Sequence, residues 1–230
     1  MPFDLLSFSG PDELAHAAAR EWLARIADAR LQFTVALSGG RIATNLFSAT
    51  AKLAREVPAL HEVRFFWADE RCVPPDHPDS SYRTARELLL EPLKVPPVNI
   101  HRIRGEDPPP AAAQAITTEL LRMATKNAQG IPVFDLIFLG MGEDGHVASL
   151  FPGAAQQHGI YYPVIGPKPP PQRITLSYNV LTAAQEVWVL VSGPGKEQAL
   201  TASIQQNGQT PLAQVLRFRR ETKIFSDVQL

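Results

Sequence analysis

Short apolar runs, each closing in a glycine-bearing or charged loop and each followed by a helical pattern, constrain this chain more than any other feature. Residues 33–37 (FTVAL), 63–67 (VRFFW), 134–139 (FDLIFL) and 187–191 (VWVLV) are brief and almost uniformly apolar. They read as strands covered on both faces, the pattern of a parallel sheet. Between them, residues 13–29, with Leu14, Ala17, Ala18, Trp22 and Ile26, repeat apolar side chains at helical spacing. So do the stretch through Leu46, Phe47, Ala51 and Leu53 and residues 82–90, 111–126 and 197–205. This alternation predicts an α/β fold: a mostly parallel, Rossmann-like open sheet flanked by helices on both faces, built as one domain over residues 1–230. Shorter strands are expected at 99–102, 173–177 and 222–226, with short helices near 181–184 and 212–216. The proline-rich residues 162–172 are expected to form an ordered surface loop.

Sheets of this type place ligands beyond the carboxyl ends of their strands, so the loops carry the functional signal. The central one, residues 134–153, runs from a buried strand into GMGEDGHVASLFPG. Gly140, Gly142 and Gly145 open the main chain to a ligand. Glu143, Asp144 and His146 add charge and a side-chain type that titrates near neutrality. After the first apolar run, Ser38-Gly39-Gly40-Arg41 opens a helix. Amides in such a turn favour phosphate, and Arg41 would add a charge-assisted clamp. After the second run, residues 68–83 (ADERCVPPDHPDSSYR) gather Asp69, Glu70, Arg71, Asp76, His77 and Asp79, stiffened by Pro74, Pro75 and Pro78. After the fourth, Ser192-Gly193-Pro194-Gly195-Lys196 sets a lysine at a helix start, where it opposes the helix dipole and asks for a reason.

Several chemistries fit poorly. Gly140, Gly142 and Gly145 have the dinucleotide spacing G-x-G-x-x-G. Glu143 and Asp144, however, stand where a pyrophosphate needs bare amides, and Pro152-Gly153 would soon stop the following helix. The nucleophile elbow G-x-S-x-G of serine hydrolases is missing from the sequence. Carboxylates and a histidine are present, but neither a helical ligand pair nor spaced cysteines specify a metal, so neither metal nor cofactor is expected. A net charge of −1 and a pI near 6.6 point away from nucleic acid and anionic membranes. A lone cysteine, Cys72, leaves no internal disulfide and fits a reducing compartment. With no long apolar run and no basic leader, a cytoplasmic monomer acting on a small molecule is expected.

Taken together, Ser38-Gly39-Gly40, residues 67–74 (WADERCVP), residues 140–146 (GMGEDGH) and residues 173–176 (RITL) resemble the 6-phosphogluconolactonases of the glucosamine/galactosamine-6-phosphate isomerase superfamily. The likeness runs through nearly the whole chain. One departure is Ile42-Ala43, where relatives often carry Thr-Pro. The related glucosamine-6-phosphate deaminases continue from Asp-Gly-His into Ala-Phe-Asn-Glu-Pro, whereas this chain has Ala148-Ser149-Leu150-Phe151-Pro152. Phe151 thus stands in place of the ring-opening glutamate, and Arg71 in place of a tyrosine.

The resemblance implies the sugar-phosphate isomerase/lactonase fold and the opening of 6-phosphogluconolactone by water in the pentose phosphate pathway. Amino-sugar-phosphate isomerisation and non-catalytic sugar-phosphate binding are the alternatives. In the implied site His146 is the general base, with Asp144 orienting its ring. Arg71 serves the oxyanion or the substrate, its fork held by Asp69 or Glu70. Arg41 and Lys196 form the phosphate pair with Arg173 as a further cation, beside Ser38, Gly39, Gly40 and Gly142.

Overall fold

The computed structural model describes residues 3–29, 32–54, 60, 62–155, 157–219 and 221–230. In chain order the first half gives β1 (Asp4–Ser7), α1 (Pro11–Asp28), β2 (Thr34–Leu37), α2 (Arg41–Leu53), β3 (Arg64–Trp67), β4 (Asp69–Arg71), α3 (Ser81–Ala85) and α4 (Pro109–Met123). The second half gives β5 (Leu136–Gly140), β6 (Tyr161–Ile165), β7 (Gln172–Leu176), α5 (Tyr178–Ala183), β8 (Glu186–Val191), α6 (Glu197–Ile204), α7 (Pro211–Arg217) and β9 (Lys223–Ser226). Six strands pair in the order β1-β9-β8-β5-β2-β3, every pair parallel. This is the expected α/β architecture, with a mostly parallel sheet flanked by helices.

Phe65 and Phe66 show why the apolar runs are continuous. Neighbours on a strand face opposite ways. Phe65 meets Trp22 of α1 edge-on at 6.4 Å, while Phe66 stacks on His101 at 4.6 Å and meets Phe134 at 5.7 Å. Both faces are therefore covered, and a polar residue has no solvated side on which to sit. Trp22 also lies edge-on to Phe138 of β5 at 4.9 Å, which seats α1 across the sheet. Truncating a fully buried aromatic of this kind costs about 3–5 kcal/mol.

Beside the large sheet lies a three-stranded antiparallel one, ordered β4-β7-β6. It corrects two sequence expectations. Residues 162–172 are not simply a surface loop: Tyr161–Ile165 and Gln172–Leu176 pair as a hairpin around a shorter turn. Pro163 fits because β6 is the outer strand, where a missing N–H is tolerated. Asp69, Glu70 and Arg71 form a strand rather than a loop, paired with Thr175, Ile174 and Arg173.

The strand expected at 99–102 shrinks to a single bridge between Ile100 and Phe65, preceded by a 3-10 turn, Pro97–Asn99. Pro97 opens that turn at the helix-start position proline favours, so the chain is still turning at Asn99, where the expected strand would begin. The helix expected over 82–90 begins at Ser81 and passes into a π-helical turn, Arg86–Leu90. Strand β1 carried no sequence signal strong enough to name it; it is a half-exposed edge strand.

Candidate active site

Strands β2 and β5 are neighbours, yet the chain leaves them in opposite directions, β2 towards β3 and β5 towards β8 and β9. A crevice opens at such a reversal, just beyond the carboxyl ends of the two strands. The Ser38 hydroxyl ties these ends together by donating to the Phe138 carbonyl at 2.8 Å. The cleft above them is lined from the main sheet by Ser38, Gly39, Gly40, Arg41, Gly140, Gly142, His146 and Lys196, and from the small sheet by Asp69, Arg71 and Arg173. A larger depression of about 280 Å³ lies at the starts of β1, β8 and β9. Its two cations are already paired, Arg25 with Glu186 at 2.7 Å and Lys223 with Glu21.

His146 is placed by the glycines before it. The Gly142 N–H donates to the His146 carbonyl and the Gly145 N–H to the Gly142 carbonyl, at 2.9 and 3.0 Å, which closes the loop tightly. A β-carbon on Gly142 would overlap the His146 ring. Gly145 has φ +79° and packs where a β-carbon would come within 2.7 Å of Thr210, the residue that caps α7. Asp144 Oδ1 lies 2.5 Å from His146 Nδ1 and also accepts from its backbone N–H at 3.1 Å. Burial pushes the Asp144 carboxyl up, but these bonds and the attraction of the imidazole outweigh it and hold its pKa below the ordinary value. An ionised carboxylate only accepts, so in the neutral imidazole this contact places the proton on Nδ1 and the lone pair on Nε2. The Phe151 ring stands 4.9 Å from the imidazole.

Four cations and one carboxylate line the cleft. Arg41 opens α2 next to Gly40, whose φ is +98°, and Lys196 is the N-cap residue of α6. Burial and then the charge of Arg41 lower the Lys196 pKa, against the pull of Asp227 and Glu143. Arg71 and Arg173 sit directly opposite each other on β4 and β7. Burial and then Arg71 lower the Arg173 pKa, opposed by Asp69 and Asp79. Like charges in cross-strand register repel unless an anion joins them. Both arrangements ask for a negatively charged ligand.

The expectation that Asp69 or Glu70 holds the Arg71 fork is not what the structure has. Glu70 is buried, and its carboxylate accepts from the backbone N–H groups of Arg71, Ser81 and Tyr82 and from the Ser80 hydroxyl, at 2.7–3.1 Å. It pins the proline loop to β4 from behind the cleft. Burial raises its pKa despite those bonds. Asp69 accepts instead from the Ser149 hydroxyl at 2.6 Å, and Arg71 Nη1 donates to the Asp79 carbonyl at 2.6 Å. Arg173 is held by the carbonyls of Lys168 and Pro170, at 3.3 and 3.2 Å, and lies 5.6 Å above the Phe151 ring.

Sequence reasoning missed four contributors. Ser81 and Ser192 line the cleft, as does Ala148, which adopts φ +50°. Asp227, just beyond β9, accepts from the Ser192 hydroxyl and the Gly193 N–H at 2.6 and 3.0 Å and so fixes the loop before Lys196. Only Ser81 carried a usable signal, in following a helix-capping serine. Among the described residues no group of three or more histidine, cysteine or acidic side chains is arranged to hold a metal ion.

These elements define an α/β protein with a cation-lined cleft at the reversal point of a parallel sheet. A family model described as glucosamine-6-phosphate isomerases/6-phosphogluconolactonase matches residues 9–224. The human 6-phosphogluconolactonase is 37% identical over 226 residues, covering 91% of this chain and 84% of the human one. The Arabidopsis thaliana 6-phosphogluconolactonase 3, chloroplastic, is 37% identical over 196 residues, 79% of this chain, and this chain spans 59% of that longer protein. Among solved structures, the Trypanosoma brucei 6-phosphogluconolactonase superposes with a TM-score of 0.84 at 26% identity, covering 98% of this chain and 96% of its own. A monomeric glucosamine-6-phosphate deaminase shares the fold, with a TM-score of 0.81 at 16% identity over 98% of this chain and 97% of that one. The chain belongs to the glucosamine-6-phosphate isomerase/6-phosphogluconolactonase family.

Proposed function

We propose that this chain hydrolyses 6-phospho-D-glucono-1,5-lactone to 6-phospho-D-gluconate in the oxidative pentose phosphate pathway, as a monomer and without a cofactor. The observation that carries the reading is the 2.5 Å contact between His146 Nδ1 and Asp144, which leaves Nε2 basic at the edge of a cleft holding four cations. Nε2 takes a proton from water as the water oxygen bonds to the lactone carbonyl carbon. Negative charge gathers on the former carbonyl oxygen, where Arg71 neutralises it. The bond from that carbon to the ring oxygen then breaks, and the ring oxygen receives the proton held by His146. The new acid ionises to the carboxylate. Arg41 and Lys196, at two helix starts, hold the phosphate, with Arg173 as a further cation.

One contact favours lactone hydrolysis over amino-sugar isomerisation. Phe151 packs on the imidazole, so the position that would hold a second acid beside the base holds an apolar ring instead. The deciding assay supplies freshly generated phosphogluconolactone and, separately, glucosamine 6-phosphate. Acid release far above the spontaneous rate, unchanged after prolonged chelation, is expected from the first. Ammonia release from the second with no lactonase activity would overturn the reading. Turnover at the spontaneous rate with phosphogluconate still binding would instead make the chain a sugar-phosphate sensor.

A further inference from the structure

One polar atom beside this cleft has no task in the mechanism. The Ser81 hydroxyl is buried, with the whole residue 2% exposed, and it has no hydrogen-bond partner. Native proteins keep few such groups. Ser81 nevertheless lines the cleft, and its hydroxyl lies against Gly39 so closely that a β-carbon there would overlap it. Its backbone is held by Glu70 Oε1, which accepts from the Ser81 N–H at 2.8 Å, so the residue itself is fixed. Nearby, Arg71 Nη1 is engaged by the Asp79 carbonyl while the buried Nε–H is also unpartnered. A hydroxyl and a guanidinium N–H, both unmatched, thus belong to two residues of the β4–α3 segment that line the cleft.

We propose that Ser81 is a specificity-determining residue that binds one ring hydroxyl of the phosphorylated lactone, with Arg71 Nε–H as the second partner of that same hydroxyl. The inference rests on the lactonase reading above. A sugar hydroxyl both donates and accepts, and this pair offers an oxygen that accepts and an N–H that donates. Phosphate oxygens would use donors only, and the cleft already supplies those at Arg41 and Lys196. Rotation about the Cα–Cβ bond of Ser81 turns its oxygen from Gly39 towards a bound ring, exchanging an unpaired state for a paired one. The absence of a side chain at Gly39 leaves room for the hydroxyl where it now sits. Such a contact is made equally in the ground state and the transition state, so its loss raises KM and spares kcat.

The test compares kcat and KM for phosphogluconolactone and its 2-, 3- and 4-deoxy analogues on wild type, Ser81→Ala and Ser81→Cys. Wild type is expected to turn over one analogue at least about tenfold less efficiently than the parent, because a site built to bond a hydroxyl rejects a ligand without it. In Ser81→Ala that discrimination should collapse for the same analogue only, with kcat within about twofold. Should the alanine variant fail to fold by its thermal melt, Ser81→Cys, which keeps the shape but bonds weakly, is read in the same way. Undiminished discrimination against all three analogues in both variants overturns the proposal. So does an equal loss for every compound together with weaker inhibition by inorganic phosphate, which would make Ser81 a phosphate ligand. A wild type inactive on the parent lactone would instead defeat the lactonase reading.

Discussion

The two sheets supply the cleft in different ways. The parallel sheet contributes turns: Gly39-Gly40 before Arg41, Gly142 to His146, and residues 192–195 before Lys196. The antiparallel sheet contributes side chains from paired strands, Asp69 and Arg71 on β4 and Arg173 on β7. A group carried on a turn is placed by glycines, some at positive φ such as Gly40 and Gly145, others such as Gly142 packed too closely for a side chain. One carried on a strand is placed by register and by whatever anchors the strand. Damage to the first kind should therefore come from adding a single methyl group, and damage to the second from removing an anchor.

The largest effect should follow from adding that methyl group at Gly142. Gly142→Ala forces the His146 ring away from Asp144, so kcat should fall nearly as far as in His146→Ala, about 10²- to 10⁴-fold. Phosphogluconate affinity, measured by calorimetry, should stay within a few-fold in both variants. A Gly142→Ala enzyme with near-normal kcat would show that the loop yields and that the turn-borne base is not rigidly placed.

The phosphate end should respond in the opposite sense. Arg41→Ala and Lys196→Ala each remove a charge-assisted contact of about 1.5–3 kcal/mol, so phosphogluconate should bind roughly ten- to a hundred-fold more weakly. Loss of binding in Arg173→Ala but in neither of these would move the phosphate to the small sheet and reverse the assignment of the two regions.

Anchor removal tests the strand-borne half. Glu70→Ala leaves the backbone N–H groups of Ser81 and Tyr82 without their acceptor, a cost of about 1–3 kcal/mol for each unpaired buried group. Thermal or urea unfolding should show a large loss of stability, and activity should fall because Arg71 and Ser81 lose their support. If stability is unchanged, the loop is held by something other than Glu70.

The same contrast explains what could be read in the sequence. Strands β2, β3, β5 and β8 are covered on both faces, so continuous apolar runs announced them and the loops they feed. Strand β4 was hidden because its three residues, Asp69, Glu70 and Arg71, are all charged: two face the ligand cleft and one turns inward to cap amides. Strand β6 was hidden by Pro163, which an outer strand accepts. An acid beside an arginine reads as an ion pair, and only the fold shows that Glu70 reaches amides eleven and twelve residues on. Ser81, one place after a capping serine, reads as a second cap until its neighbour Gly39 is seen across the cleft. The turn-borne cations were legible because Lys196 at a helix start conflicts with the helix dipole and Arg41 follows a Ser-Gly-Gly turn suited to phosphate.

The smallest expected effect is on stability, at the carboxylate behind the base. Asp144 has its pKa lowered in the folded chain, where burial is outweighed by the bonds from His146. A depressed carboxylate pKa means that folding favours the ionised form. The stability it brings is complete above the unfolded value, near 3.8, and is lost as pH falls through the lower folded value. The side chain is 45% exposed, so solvent screens the contact and the effect should be modest. Asp144→Asn keeps an oxygen for the His146 N–H but removes the charge. Urea unfolding of the two proteins across pH 2–6 should therefore give a gap that is steady at the upper end and narrows as pH drops below about 4. A gap that widens on acidification would mean that the charge at Asp144 opposes folding, and that the imidazole contact does not hold it ionised.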